Sequence, residues 1–192
     1  MVTTPPERVI DSQLVYAGRI VRFRVDTIEL PDGSTARREI VGTPGAVTIV
    51  ALTDDRQVRM VRQYRSAIGD FLLELPAGTL HAGEAPQDAA PRELAEETGD
   101  RAAHWQYLTR FHTMPGICDE IIHLFLATGL TPGRTNLDPD EYIEVVTVPL
   151  DEALAMVEPM QNPRIAPRVI PTIVTVLIGH AITAIPFAFP RQ

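Results

Sequence analysis

Apolar and polar positions alternate along the first third of the chain, which predicts strands rather than helices. Residues 13–30 alternate loosely, and residues 35–41 form a second short strand pattern. Between them lies Pro31-Asp32-Gly33, where proline fixes φ and glycine accepts a positive φ, so a hairpin is predicted. Gly42-Thr43-Pro44-Gly45 then interrupts the pattern. We therefore place a domain boundary at this interruption.

The boundary separates a small N-terminal antiparallel β domain, residues 1–43, from a main domain, residues 44–192. The main domain opens with an apolar run over residues 46–52, which is typical of a buried strand. Strand patterns follow at 57–63, 71–75, 105–111, 120–128 and 142–149, and helix patterns at 85–98, 150–157 and 170–185. Strands mixed with helices predict an α/β sandwich.

The chain has 17 basic residues, and every one is arginine. The absence of lysine excludes a Schiff-base lysine and a phosphate loop that ends in Gly-Lys-Ser/Thr. Any phosphate that the protein holds must therefore contact arginine, backbone N–H groups or a metal ion. The net charge of −8 also argues against nucleic acid as a partner, because phosphate-backbone binding needs a basic face.

Cysteine use and hydropathy bear on the location of the protein. Cys118 is the one cysteine, which excludes an intrachain disulfide and fits a reducing cytosol, so a cytoplasmic location is predicted. Residues 1–9 lack the apolar core of a signal peptide. Residues 170–185 are apolar but shorter than the ~20 residues that span a bilayer. We expect them to form a core or interface helix, with no membrane partner.

An acidic cluster stands in the first helix pattern of the main domain. Glu93 and Glu97 are four residues apart, so they share one helix face, and Glu96 lies on an adjacent edge. Like charges at this spacing repel, and a divalent cation would relieve the repulsion. Mg²⁺ prefers such oxygen ligands. A solvated acidic face is the alternative interpretation of an isolated Glu-x-x-Glu-Glu.

The frame around this cluster resembles the Nudix box. Gly78 is followed by five residues, Glu84 by seven, and then comes Arg92-Glu93-Leu94-x-Glu96-Glu97-x-Gly99. Nudix hydrolases cleave a nucleoside diphosphate linked to another group, with divalent metal ions. The resemblance implies a Nudix α/β/α sandwich with a mixed sheet, and Mg²⁺ as cofactor with Mn²⁺ as a substitute.

The resemblance also implies roles for individual residues. The metal ligands would be Glu93, Glu96, Glu97 and the carbonyl of Ala77. Glu97 and Arg92 would also be catalytic, with Arg92 pairing with and orienting the glutamates. Glu84 would be a structural carboxylate rather than a direct ligand.

Two residues depart from the family pattern. Asp100 stands where the family has an apolar residue, which we expect to affect local packing only. Pro91 falls inside the expected helix, where proline removes an N–H and clashes with the preceding turn. Either Pro86 starts the helix and Pro91 kinks it, or the helix begins at Pro91. Both alternatives predict a perturbation just before Arg92.

The flanks of the box resemble the ADP-ribose pyrophosphatase branch of the family. The matching segments are residues 74–78, residues 114–120 and residues 140–145, and Pro115 lies 16 residues after Gly99. In that branch the N-terminal β domain is exchanged between the subunits of a homodimer. The resemblance therefore implies a homodimer here, with a nucleoside diphosphate compound as the small-molecule partner.

The same branch assigns further site residues. Arg38 would reach the nucleotide from the partner subunit, and Arg65 would contact the diphosphate. Glu39, Pro115 and Gly116 complete the expected substrate-binding set. Glu141 would be the general base, with Asp140 and Glu144 as alternates. The branch often stacks adenine on an aromatic residue, but Ile20 occupies that position here.

The predicted reaction is the hydrolysis of ADP-ribose to AMP and ribose 5-phosphate. A nucleotide sugar such as GDP-mannose, or a dinucleotide, is the alternative substrate. A different class of function is a Nudix-fold sensor that binds such ligands without cleaving them. The acidic residues of the box favour the enzyme, and Pro91 is the feature that leaves the sensor as an alternative interpretation.

Overall fold

The chain divides into two compact units in the computed structural model, which describes residues 6–157. Of these residues, the first unit contains those up to Gly45 together with Phe111–Ile122. The second contains Ala46–Arg110 and the described residues from His123 onward. The apolar helix predicted over residues 170–185 lies outside the described residues. Among residues 6–157, no helix has both the length and the apolarity needed to cross a membrane.

The first unit is built on an antiparallel sheet of three strands among the described residues. The strands are β1 (Arg8–Ala17), β2 (Arg22–Glu29) and β3 (Thr35–Gly42), in the order β1-β2-β3. The predicted hairpin is present, because Leu30 and Ser34 close the turn between β2 and β3 and Gly33 has a φ of 80°. The single alternating stretch expected over residues 13–30 is two strands, separated by a turn at Gly18.

The segment Phe111–Ile122 is fixed to the end of β3. Val41 forms a parallel bridge with Cys118, and its N–H donates to the carbonyl of Ile117 at 2.8 Å. The N–H of Asp119 donates back to the carbonyl of Val41 at 3.1 Å, and the Asp119 carboxylate accepts the N–H of Thr43 at 2.9 Å. These bonds make the segment part of the first unit.

The second unit is a seven-stranded sheet with two helices, counting residues 6–157 alone. The elements are β4 (Ala46–Leu52), β5 (Gln57–Arg65), β6 (Asp70–Glu74), β7 (Ala77–Thr79), α1 (Pro86–Thr98), β8 (Arg101–His112), β9 (Ile121–Thr131), β10 (Ile143–Pro149) and α2 (Leu150–Val157). The main path of the sheet runs β10-β5-β4-β9-β8, and β6 pairs with β5 while β7 pairs with β4. The mixed sheet with helices matches the predicted α/β class.

The core lies where α1 packs on β4 and β9. Ala89, Ala90 and Leu94 of α1 are fully buried against a set of apolar side chains from the two strands: Val47, Ile49, Ala51, Phe125 and Ala127. Two small alanines let the helix approach the sheet closely. The first half of the buried helix face is therefore apolar, which fixes α1 in position for the acidic residues that follow.

Helix α1 runs without a break from Pro86 to Thr98. Pro86 occupies the first turn, and Gly99 ends the helix with a φ of 77° and an N–H bond to the carbonyl of Ala95. The alternative start at Pro91 is therefore wrong, and the predicted perturbation does not interrupt the helix. Pro91 is exposed, as is Gln87, whose carbonyl loses its helical partner. Water can satisfy that carbonyl on the exposed face.

Asp100 does more than alter local packing. It is 2 % exposed, and its Oδ2 accepts a hydrogen bond from Nε of Arg59 at 2.9 Å. Nη1 of Arg59 donates in turn to Oγ1 of Thr147. The ion pair thus connects Asp100, which follows Gly99 at the end of α1, to β5 and β10. This contact explains why an acidic residue can occupy the position.

Arg59→Met is expected to lower the free energy of unfolding by about 3–5 kcal/mol, because it leaves the Asp100 carboxylate buried and unpaired. Urea denaturation measures this loss. Asp151→Asn is the matched control, since it removes the acceptor of Arg56 in an exposed pair, and it should change stability by less than about 1 kcal/mol. Equal losses in the two variants would contradict a structural role for the Asp100 pair.

Candidate active site

The buried face of α1 changes from apolar to acidic along one row of residues. Ala89, Glu93 and Glu97 follow at intervals of four, so they lie in line on the helix. All three are buried, with Glu93 at 9 % and Glu97 at 5 % exposure. Buried carboxylates are rare in proteins unless they are paired or bind a cation. The solvated acidic face is therefore not what this helix presents.

Arg92 joins three carboxylates through its guanidinium. Nε and Nη2 each donate to one oxygen of Glu84 at 2.8 Å, in a bidentate pair. Nη1 donates to Oε1 of Glu93 at 2.7 Å and to Oε2 of Glu96 at 2.9 Å. The planar fork of arginine permits such multiple contacts. Arg92 therefore fixes the rotamers of Glu93 and Glu96 and connects them to the loop before the helix.

The short strand β7 lies against the two buried carboxylates. The N–H of Ala77 donates to Oε2 of Glu97 at 3.0 Å. At Gly78, any Cβ atom would overlap the carboxylate of Glu93. Gly78, the first glycine of the box, is thus required because the Glu93 carboxylate occupies the place of a Cβ atom, and not because the backbone has a positive φ.

Burial raises the pKa of both inward carboxylates. Desolvation is the largest cause for each, and it raises the pKa of Glu97 to about 8 even though the N–H of Ala77 favours its charged form. The negative charges of the neighbouring Glu93 and Glu141 raise the Glu97 pKa further, while Arg65 lowers it. Glu97 therefore has less positive charge around it than it needs to be fully ionised at neutral pH, and the pKa of Glu93 is shifted in the same direction.

Glu84 behaves in the opposite way. Its hydrogen bonds with Arg92, and the N–H of His81, hold the pKa of Glu84 down at about 2. The same pairing raises the pKa of Arg92 above its usual range. Glu84 is accordingly ionised at neutral pH, and its oxygens accept hydrogen bonds from the Arg92 guanidinium and the N–H of His81.

Arg65, at the end of β5, forms a side-on ion pair with Glu74 of β6. Nε lies 3.1 Å and Nη2 lies 2.5 Å from Oε2 of Glu74. Arg65 is 41 % exposed at its side chain and Glu74 only 12 %. The positive charge of Arg65 also acts on Glu97. Arg65 is thus held by Glu74 and acts electrostatically on Glu97.

Glu141 stands on the loop between β9 and β10. The loop is tied to α1, because the N–H of Asn136 donates to the Glu96 carbonyl at 2.9 Å. The Glu141 carboxylate accepts the N–H of Asp138 at 3.3 Å, and its charge raises the pKa of both Glu93 and Glu97. A groove of about 320 Å³ opens beside it, lined by Arg62, Phe71, Leu137, Tyr142, Ile143 and Glu144.

Four predicted substrate-binding residues belong to the first unit. Arg38 lies on β3 and forms an ion pair with Glu7. Glu39 follows it with an exposed side chain, and Pro115 and Gly116 are exposed in the segment fixed to β3. Their side chains are accessible to a ligand of that unit.

The donor set fits a divalent cation. Within residues 6–157, no three His, Cys, Asp or Glu side chains are gathered closely enough to hold a metal ion in their present rotamers. Glu93 and Glu97 nevertheless offer buried oxygen ligands with raised pKa values, and a cation beside them would supply the missing positive charge.

Comparison with protein families identifies the family to which the chain belongs. A model described as the NUDIX domain matches residues 42–170, and one described as the nucleoside diphosphate sugar hydrolase N-terminal domain matches residues 7–41. The chain belongs to the Nudix family. The predicted resemblance is confirmed, and with it the interpretation of the chain as a Nudix hydrolase.

Several proteins resemble this Nudix chain closely. An ADP-ribose pyrophosphatase of Mycobacterium tuberculosis is 40% identical over 185 residues, covering 95% of this chain and 86% of its own length. One of Bacillus subtilis is 42% identical over 154 residues, covering 79% and 83%. A protein of Bacillus methanolicus named methanol dehydrogenase activator is 43% identical over the same length and coverage.

The fold has a solved counterpart. A crystal structure titled as an ADP compounds hydrolase superposes with a TM-score of 0.76 at 22% identity, covering 92% of this chain and 93% of the other. This confirms the predicted Nudix fold.

Sequence reasoning predicted that Arg92 pairs with the glutamates of α1, but it missed two other pairs that hold predicted residues. Glu74 was part of a matching segment but had no role, and the pairing of Arg92 with Glu84 was not foreseen. The period of a strand indicates which face a side chain is on, but not which neighbour it contacts. The one available signal was the presence of a carboxylate on β6, next to the strand that carries Arg65.

Proposed function

We propose that the protein hydrolyses ADP-ribose to AMP and ribose 5-phosphate with Mg²⁺, for which Mn²⁺ can substitute. The observation that carries the proposal is the pair of buried glutamates on α1, held by Arg92 and Ala77 and short of positive charge. A diphosphate substrate brings more negative charge, so cations must accompany it. The names of the two pyrophosphatase relatives support ADP-ribose as the substrate.

The proposed ligands of Mg²⁺ are Glu93, Glu96, Glu97 and the carbonyl of Ala77. When bound, the ion supplies charge that neutralises phosphate oxygens and lowers the pKa of a water molecule. Hydrogen bonds from Arg92 hold the Glu93 and Glu96 carboxylates in position before a cation binds.

Arg65 and Glu141 act on the substrate in this proposal. Arg65 donates hydrogen bonds to the diphosphate, and the chain has no lysine that could do so. Glu141 accepts the proton of the attacking water, with Asp140 and Glu144 as alternates. A base on a loop is suited to closing over the substrate.

The remaining assignments concern the first unit and the assembly. We propose a homodimer in which the N-terminal β domain, residues 1–43, is exchanged between subunits and the Nudix domain, residues 44–192, carries the acidic cluster. Arg38 and Glu39 then contact the nucleotide, and Pro115 and Gly116 line the substrate site. A cytoplasmic location completes the proposal, because a single cysteine fits a reducing compartment.

Product analysis tests the proposed reaction. The purified protein is incubated with ADP-ribose and Mg²⁺, and AMP and ribose 5-phosphate are separated by chromatography. Equimolar products that are lost with EDTA support the proposal. Tight binding of ADP-ribose without products would support the sensor instead. The unbroken α1 removes the feature that favoured a sensor, since Pro91 does not disturb Arg92–Glu97.

Gly78→Ala is expected to lower kcat/KM for ADP-ribose by ~10²-fold or more, because its Cβ displaces the Glu93 carboxylate from Arg92. Steady-state rates measure the effect. Gly33→Ala is the matched control: its positive φ costs about 1–2 kcal/mol of stability, but no atom lies within 4 Å of the added Cβ. A normal rate in Gly78→Ala would contradict the assigned role of Glu93.

A further inference from the structure

The guanidinium of Arg65 is held by one carboxylate through one of its edges. Nε lies 3.2 Å from Oε1 and 3.1 Å from Oε2 of Glu74, and Nη2 lies 2.5 Å from Oε2. All three of these contacts are to the same carboxylate, that of Glu74. The opposite nitrogen, Nη1, carries two N–H groups that Glu74 does not use.

The sheet register explains why Glu74 can reach Arg65. Glu74 is paired with Val61 across β5 and β6, and side chains that lie opposite each other share a sheet face. Val61 and Arg65 are four residues apart on β5, so they also share that face. Glu74 is nearly buried and Arg65 is not, so the carboxylate is the fixed member of the pair and the arginine is the member it restrains.

We propose that Glu74 is a positioning residue, which holds the Arg65 guanidinium so that Nη1 is presented to the diphosphate of the substrate. The inference rests on the proposed function of Arg65. An arginine side chain has many rotamers, and a restrained fork loses less conformational freedom when it binds phosphate. The positive charge of Arg65 also acts on Glu97 of the acidic cluster.

A double-mutant cycle tests the proposal on the full-length protein. Arg65→Ala should lower kcat/KM for ADP-ribose by roughly 10- to 100-fold, as expected for a charged hydrogen bond. Glu74→Gln should lower it by roughly 10-fold, with a larger change in KM than in kcat. In the double variant, Glu74→Gln should add less than about twofold to the loss already caused by Arg65→Ala.

A structural role for Glu74 predicts a different pattern. The two losses would then multiply in the double variant, and that result would overturn the proposal. Glu74→Asp keeps the charge on a shorter side chain, so it should recover part of the activity lost in Glu74→Gln. Asp151→Asn is the control, since it removes the acceptor of Arg56, which precedes the opposite end of the same strand, and its rate should equal that of the wild type.

The same cycle on ligand binding separates this inference from the proposed function. Calorimetry with ADP-ribose in EDTA reports the affinity of each variant without turnover. Wild-type binding and turnover with multiplying losses would reject the positioning role alone. Failure of the wild type to hydrolyse ADP-ribose with Mg²⁺ would reject the proposed function and this inference together. Should Glu74→Gln unfold at the assay temperature, the Glu74→Asp cycle decides by the same criterion.

Discussion

Glu97→Gln is expected to reduce the hydrolysis of ADP-ribose by at least ~10³-fold, because the amide removes one anionic ligand of the cation. Its carbonyl oxygen can still accept the N–H of Ala77, so the local structure should persist. The same change should stabilise the protein in the absence of metal, since a buried group whose charged form is disfavoured becomes permanently neutral. Loss of activity together with a higher melting temperature distinguishes this result from misfolding.

The pH dependence of stability tests separately whether the Glu97 carboxyl is buried with a raised pKa. Its pKa is raised from the ordinary glutamate value of 4.5 to about 8 in the folded state, so the folded protein binds a proton that the unfolded chain releases between those values. The stability of the metal-free protein should therefore fall as pH rises from about 5 to 8. Melting curves in EDTA should show this fall in the wild type and a smaller one in Glu97→Gln. Identical slopes would contradict the burial of a titrating Glu97.

Glu141→Gln is expected to lower kcat by ~10²–10⁴-fold, the usual size of a general-base contribution. Glutamine can still accept a hydrogen bond from the N–H of Asp138, so the loop should keep its turn. Steady-state rates measure the effect. An unaltered rate would remove the assignment.

The alternates are tested beside Glu141. Asp140→Asn and Glu144→Gln alter the neighbouring acids, and Glu144 already forms an ion pair with Arg62 at 3.2 Å. If Glu141 is the base, these two variants should retain most of the rate. A loss confined to either alternate would transfer the role to that residue.

The sequence was sufficient to predict most of the fold. The apolar run 46–52 is the strand β4 with the same bounds, and the 150–157 pattern is the helix α2. Strand ends were less certain, because β8 begins at Arg101, four residues before the predicted start, and its exposed residues lack clear alternation. The three-residue strand β7 is too short to give a periodic pattern, and its pairing with β4 is what defines it.

The acidic cluster was predicted from spacing, but its electrostatics were not. Helical geometry puts Glu93 and Glu97 on one face, whereas only packing against β7 shows that this face is buried. Asp100 shows the same limit, since its partner Arg59 is distant in sequence and lies on β5. Pro91 was expected to kink α1 or to start it, yet α1 begins at Pro86 and the exposed position of Pro91 tolerates the missing hydrogen bond.

The most direct test of the proposed function is a substrate panel with Mg²⁺ and with Mn²⁺. It compares ADP-ribose, GDP-mannose, NADH and diadenosine polyphosphates by kcat/KM, with Glu97→Gln as the inactive control. The proposed function predicts that ADP-ribose has the highest kcat/KM and gives AMP and ribose 5-phosphate. A preferred substrate without adenine, or no hydrolysis of any member with either metal, would contradict it.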